Sequence, residues 1–186
     1  MLLFLFSKTI LFTFLILCNV IGHSFLLKKF LRNNQEDLFF NFIVGTLSLI
    51  FFSYLINFFF PLNKNITNSF FLIFTLIGIY FFFKQLNNFK SILIIIFAVS
   101  FMTFLSKTYN DYELYHLPYM EIIREFKIIF GLSNLDFRYA HGSVFQNISA
   151  FQHNFLMNKD SYIFYTPLLT VISLKYIYEK LANSNL

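Results

Sequence analysis

The stretch LFFNFIVGTLSLIFFSYLINFFF, Leu38 to Phe60, decides the fold. It carries no charge, and its strongest polar interruptions are Asn41 and Asn57. A bilayer core about 30 Å thick is crossed by a helix of roughly 17–25 such residues. Backbone polar groups find no water there, so the segment is expected to be a helix rather than an open strand. Working outward, four more apolar runs follow the same pattern. Leu2–Leu27 is interrupted by Lys8 and softened by Asn19 and His23. Ser69–Phe83 and Ser91–Ser106 are shorter and need snorkelling flanks or a thinned bilayer. Tyr162–Tyr178 has Pro167 early and Lys175 near its end. The fold class expected is all-α: an integral membrane helical bundle of about five spans.

Composition agrees with that reading. Of 186 residues, 58% are hydrophobic and 12% charged, with 31 Phe, 11 Tyr and no Trp. A soluble domain is about 45–50% apolar and about a quarter charged, and a chain of this size leaves much of its surface exposed. Disordered chains are poor in aromatics and rich in charge, so disorder is excluded too. The one cysteine, Cys18, excludes a disulfide framework. The net charge of +5 is spent on topology. Lys28, Lys29 and Arg32 follow the first run, only Lys64 follows the second, and Lys84 and Lys90 bracket the next connection. Because Lys and Arg concentrate in cytoplasmic loops, the N-terminus is expected outside. A nucleic-acid partner is not expected.

Three regions result: residues 1–106 with four transmembrane helices, an extracytoplasmic helical loop at 107–161, and a fifth helix with a cytoplasmic tail at 162–186. The stretch from Lys107 to Asp160 holds six of the nine carboxylates, three of the four histidines and two of the three arginines. Tyr115, Tyr119, Ile122, Ile123, Phe126 and Phe130 recur at helical spacing, with Glu121, Arg124, Glu125 and Lys127 between them. That is an amphipathic helix, with Pro118 near its start. A second is expected over Ser143–Leu156, and Gly131–Asp136 between them reads as a turn. Such helices are expected to lie along the membrane interface and roof a cavity.

Chemistry would sit in this loop, because lipid-facing helices hold polar groups only at high cost. Asp111, just past the fourth span, could act as a general base or metal ligand, or be a capping or solvated residue. Glu113 carries the same ambiguity. His116 could bind a phosphate, bind a metal or shuttle a proton, or be a hydrogen-bonded structural residue. Arg124 has ion-pair partners on its own helix in Glu121 and Glu125. Arg138 has only Asp136 nearby and is the better anion ligand. His141 and His153 lack metal-ligand spacing, so no metal site is expected. Asn65-Ile66-Thr67 and Asn147-Ile148-Ser149 match the glycosylation sequon, a frequent chance match in an Asn-rich chain.

The run Asp111-Tyr-Glu-Leu-Tyr-His-Leu-Pro118, followed by Gly131-Leu-Ser-Asn-Leu135, Arg138 and Ser143, resembles a family of bacterial multi-spanning membrane proteins similar to GT-C glycosyltransferases. The likeness covers about Asp111 to Phe155, with Ala140 in a glycine position. It implies a protein of the bacterial inner (cytoplasmic) membrane that transfers a sugar from a polyprenyl-phosphate donor to an envelope acceptor. Asp111 takes the catalytic role, and Glu113, Tyr115, His116, Asn134 and Arg138 become substrate-binding candidates. A divalent cation is compatible with such transfer, although no residue requires one. GT-C enzymes have more than five spans, so the chain is expected to correspond to the N-terminal part of a longer protein. The alternative is a non-catalytic membrane subunit or scaffold for envelope polysaccharide assembly, with membrane protein partners.

Overall fold

A computed structural model describes residues 2–31, 37–84, 89–105, 116–131, 134, 144–157 and 162–184. These residues form seven helices and no strand: α1 (Leu2–Leu31), α2 (Leu38–Phe59), α3 (Lys64–Lys84), α4 (Phe89–Leu105), α5 (Leu117–Glu125), α6 (Val144–Phe151) and α7 (Tyr165–Ser184). Three of them, α1, α2 and α3, are long and apolar enough to cross a membrane.

Local chemistry sets the ends. Asp37 caps α2, its carboxylate accepting from the Phe40 amide at 3.3 Å. Asn63 does the same for α3 through the Ile66 amide at 3.1 Å. Side-chain oxygens at this position satisfy an amide that the first helical turn leaves open. The cap explains why α3 begins at Lys64, five residues before the apolar run from Ser69: helix starts follow capping, and apolar runs follow burial. α1 likewise continues to Leu31 past the end of its apolar run. Lys28, in that extension, donates to the Asn41 side chain at 2.9 Å and ties the end of α1 to the start of α2.

The helices are inverted in polarity relative to a soluble bundle. On α2 the buried face carries Asn41, Ser48, Ser53 and Asn57, whereas Leu47, Phe51, Leu55 and Phe58 point outward, Phe51 with 56% of its surface exposed. On α4, Ser100 and Thr103 are buried, whereas Ile94, Phe97 and Phe101 are exposed. α3 buries Thr75 and exposes Ile73, Leu76 and Tyr80. Water would not tolerate apolar patches of that extent on a monomer. In lipid the apolar face is already solvated, and inward polar groups join helix to helix.

α1 is the central helix, packed against α2, α3 and α4. Small residues permit the approach. A Cβ at Gly22 would overlap the Phe74 carbonyl, one at Gly78 the Cys18 carbonyl, and one at Gly45 the Val20 carbonyl. Close backbone contact of this kind is how helices associate where no hydrophobic force drives them together. Hydrogen bonds join the same surfaces: Ser100 donates to Thr13 at 3.0 Å, linking α4 to α1. Antiparallel neighbours are evident from the contacts. The start of α2 meets the end of α1 at Lys28–Asn41, and Phe39, also at the start of α2, stacks on Tyr176 late in α7 with ring centroids 4.0 Å apart.

The two shorter helices differ from expectation in extent and in position. α5 stops at Glu125 and Phe126 is extended, because the chain beyond is claimed by α2. The Asn57 side-chain amide donates to the carbonyls of Ile123 at 3.0 Å and Phe126 at 3.1 Å. The Ile128 amide donates to the Asn57 carbonyl at 2.9 Å. α6 ends at Phe151 instead of Leu156. There the Asn154 carboxamide oxygen accepts from the amides of Leu156 and Met157, both at 3.0 Å, closing a turn on its own backbone. α6 and this turn do not simply cover the bundle. Residues 147–154 are all buried, and Gln152 donates to Asn19 in the middle of α1 at 2.8 Å.

Candidate functional site

α5, in the polar stretch after α4, is held at one end of the bundle, where α2 ends and α3 begins. Asn57 and the Leu62 amide, which donates to the Ile123 carbonyl at 3.2 Å, hold α5 there. Four of the candidate residues, Asp111, Glu113, Tyr115 and Arg138, lie outside the described residues. Two are placed. His116 precedes α5 in a helical conformation without capping it, and its Nδ1 lies 2.5 Å from the Gln146 side-chain nitrogen on α6. Asn134 is exposed in the turn, its amide donating to the Gly131 carbonyl at 2.9 Å. Gly131 has φ of 79°, a left-handed conformation that other residues adopt only with strain, and it accounts for the turn read there. His116 thus belongs to the α5–α6 junction and Asn134 to the surface.

A cluster that sequence reading passed over occupies that junction. Arg124 pairs with Glu121 at 2.6 Å, one helical turn back, as their spacing suggested. The same Nη1 reaches the Tyr162 hydroxyl at 3.4 Å. Ser149 on α6 donates to the Tyr162 carbonyl at 3.4 Å, and the His153 ring lies 5.8 Å from the Tyr162 ring. On the neighbouring face, Tyr54 of α2 is hydrogen-bonded to Asn147. Burial pushes the Tyr162 hydroxyl up to about 12; Arg124 pulls it down and Glu121 pushes it up by smaller amounts. Burial also raises Tyr119, helped by its neighbour Tyr54. Both phenols therefore stay protonated and can donate hydrogen bonds. Tyr162 and Gln146 gave no advance signal, because their partners lie 38 and 30 residues away. Asn147 and Ser149 of the second sequon are buried, which closes that site to a glycosylating enzyme in the folded chain.

A second polar network lies deeper. Asn19 donates to the Phe71 carbonyl at 3.0 Å and to Thr75 at 3.2 Å, both on α3, and accepts from Gln152. His23, one turn along α1, stacks on Phe74 with centroids 3.7 Å apart. Among the described residues no three His, Cys, Asp or Glu side chains gather closely enough to hold a metal ion.

The chain belongs to a family described as a domain of unknown function, DUF8201, which it matches over residues 1–185. No curated protein and no solved structure matches it.

Proposed function

We propose that this DUF8201 member is a GT-C-like membrane glycosyltransferase module that works on a polyprenyl-phosphate-linked sugar at the outer face of the bacterial inner membrane. In this reading α4 and α7 join α1, α2 and α3 as spans, and the N-terminus is outside. The observation that carries it is the attachment of α5 to the end of α2 by Asn57. That bond holds α5 at the end of α2, after which only Lys64 follows, and supports a place there for the acid-, histidine- and arginine-rich segment. Lysine scarcity marks the outer side, which is where lipid-linked sugars are used as donors. The order of the two motif runs around Asp111 and Arg138 supports the same assignment.

The chemistry is inverting transfer. Asp111 takes the proton from the acceptor hydroxyl as its oxygen attacks the anomeric carbon, and the polyprenyl phosphate leaves with the bonding pair. His116 and Arg138 hold the departing phosphate. His116 has a fixed position for this, set by Gln146 on α6. Removing a general base lowers rates by about 10²–10⁴-fold. Asp111→Asn in the full-length protein should therefore abolish sugar transfer in isolated membranes while leaving expression and melting temperature unchanged. Full transfer by that variant would remove Asp111 as the base, and absence of transfer by the wild type would leave the non-catalytic scaffold, for which the same loop would be a docking surface.

A further inference from the structure

We infer that Arg124 is an anion site, its unpaired guanidinium edge the ligand for the phosphate group of a membrane lipid. Arg124 is buried to 9% exposure, yet among the described residues only Nη1 is engaged, by Glu121 and Tyr162. Nε is buried and finds no hydrogen-bond acceptor among the described residues. Nε and the far Nη form the edge with which arginine grips carboxylate or phosphate through two parallel hydrogen bonds. A buried ionic donor left without an acceptor is costly, so a chain that keeps one in this place gains from filling it. Glu121 anchors the opposite side of the guanidinium and so sets the direction of the fork. Its carboxylate is 30% exposed and screened by water, so it shares the Arg124 charge without cancelling it on the buried side.

The surroundings suit a phosphate carried on a lipid. The Tyr162 hydroxyl beside Arg124 stays protonated and can add a donor. α5 is held at the end of α2, where Phe58, Phe59 and Phe60 of α2 and Phe126, Ile129 and Phe130 after α5 expose apolar surface for an acyl or isoprenoid chain. Lys127, just past the end of α5, is exposed in the same stretch. A phosphomonoester anion with an apolar tail is the chemistry that matches a fork, a phenol and an apolar border. That it is a polyprenyl phosphate rests on the function proposed above; the fork itself does not.

The test uses the full-length protein in lipid nanodiscs and three probes: a polyprenyl monophosphate, the dephosphorylated polyprenol, and inorganic phosphate. Phosphatidylglycerol serves as competitor. The wild type should bind the polyprenyl phosphate and not the alcohol. Arg124→Lys, which keeps the charge without the fork, and Arg124→Gln should each weaken binding about tenfold or more, the loss of one ionic hydrogen bond. The lysine variant keeps the stem and the charge opposite Glu121, so it reads the fork even if the glutamine variant fails to fold. Competition by phosphatidylglycerol would make the source any anionic headgroup, and binding of inorganic phosphate would make the tail dispensable; each keeps the anion site. Equal affinity in wild type and Arg124→Lys overturns it. Binding is read without transfer, so loss of binding in Arg124→Lys beside a wild type that transfers no sugar would keep this site and remove the transferase reading.

Discussion

Asn57 was visible in the sequence as a polar break in an apolar run, and its meaning lies entirely in residues more than sixty positions away. Its amide holds two carbonyls of the chain leaving α5. Nothing in the spacing of either segment announces that pairing. By contrast, the Arg124–Glu121 pair was legible, because partners one turn apart share a helix face. Asn57→Leu leaves the half-buried Phe126 carbonyl without this donor and the buried Ile123 carbonyl with the Leu62 amide alone. It should destabilise the protein by about 1–3 kcal/mol, lowering the melting temperature in detergent by roughly 2–4 °C for each kcal/mol. An unchanged melting temperature would mean that Asn57 does not hold the loop. Tyr162 gives a second residue-scale expectation. Burial raises its hydroxyl from 10.0 to about 12, so the folded state favours the neutral phenol. The stability it contributes is complete below the unfolded value, near pH 10, and is lost as pH rises through about 12. Tyr162→Phe should flatten the fall of melting temperature across that alkaline window. A variant whose alkaline profile matches the wild type would show that other tyrosines govern it.

At the scale of elements, apolar runs located five of the seven helices among the described residues and periodicity the other two, but it misjudged where those two stop. The apolar pattern runs on to Phe155 and Leu156, but α6 does not, because a local turn at Asn154 competes for the backbone. Apolar spacing reports which face is buried, and it is blind to a side chain that satisfies the backbone better than another helical turn does. It also could not tell whether α6 lies over the bundle or within it. The answer is held by one contact, Gln152 to Asn19, between an element near the chain's end and the central helix. Asn19→Leu removes this contact together with the bonds to Phe71 and Thr75. Gln152→Leu removes only the first, leaving the Asn19 oxygen buried and unpaired. The double variant should therefore be less damaged than the two single losses added together. A coupling of about 0.5–2 kcal/mol is expected from such interhelical pairs. Strict additivity in thermal or denaturant unfolding would show that α6 is held by packing alone.

Among the described residues the long helices bury Asn, Ser and Thr side chains and expose many phenylalanines, and the apolar character that this serves was the part most legible from composition. The chain's direction across the membrane was read only from lysine counts, and the fold supplies a sharper handle. The Lys28–Asn41 contact lies at the start of α2 and the Asn57 contact near its end. α2 has 22 residues, about 33 Å of helix, enough to set its two ends, each beside one of these contacts, on opposite sides of a bilayer core. Lys29 and Asn134 are both exposed, one at the end of α1 and one in the turn after α5. Cys18 is buried, so the native thiol gives little background. In intact cells a membrane-impermeant maleimide should label Asn134→Cys and should reach Lys29→Cys only after lysis. Labelling in the reverse order would invert the topology and move the proposed chemistry to the cytoplasm, where a polyprenyl-linked donor would have to be presented from the other leaflet. Labelling of both variants in intact cells would mean that α2 does not cross at all, and the apolar outer face would then need a protein partner in place of lipid.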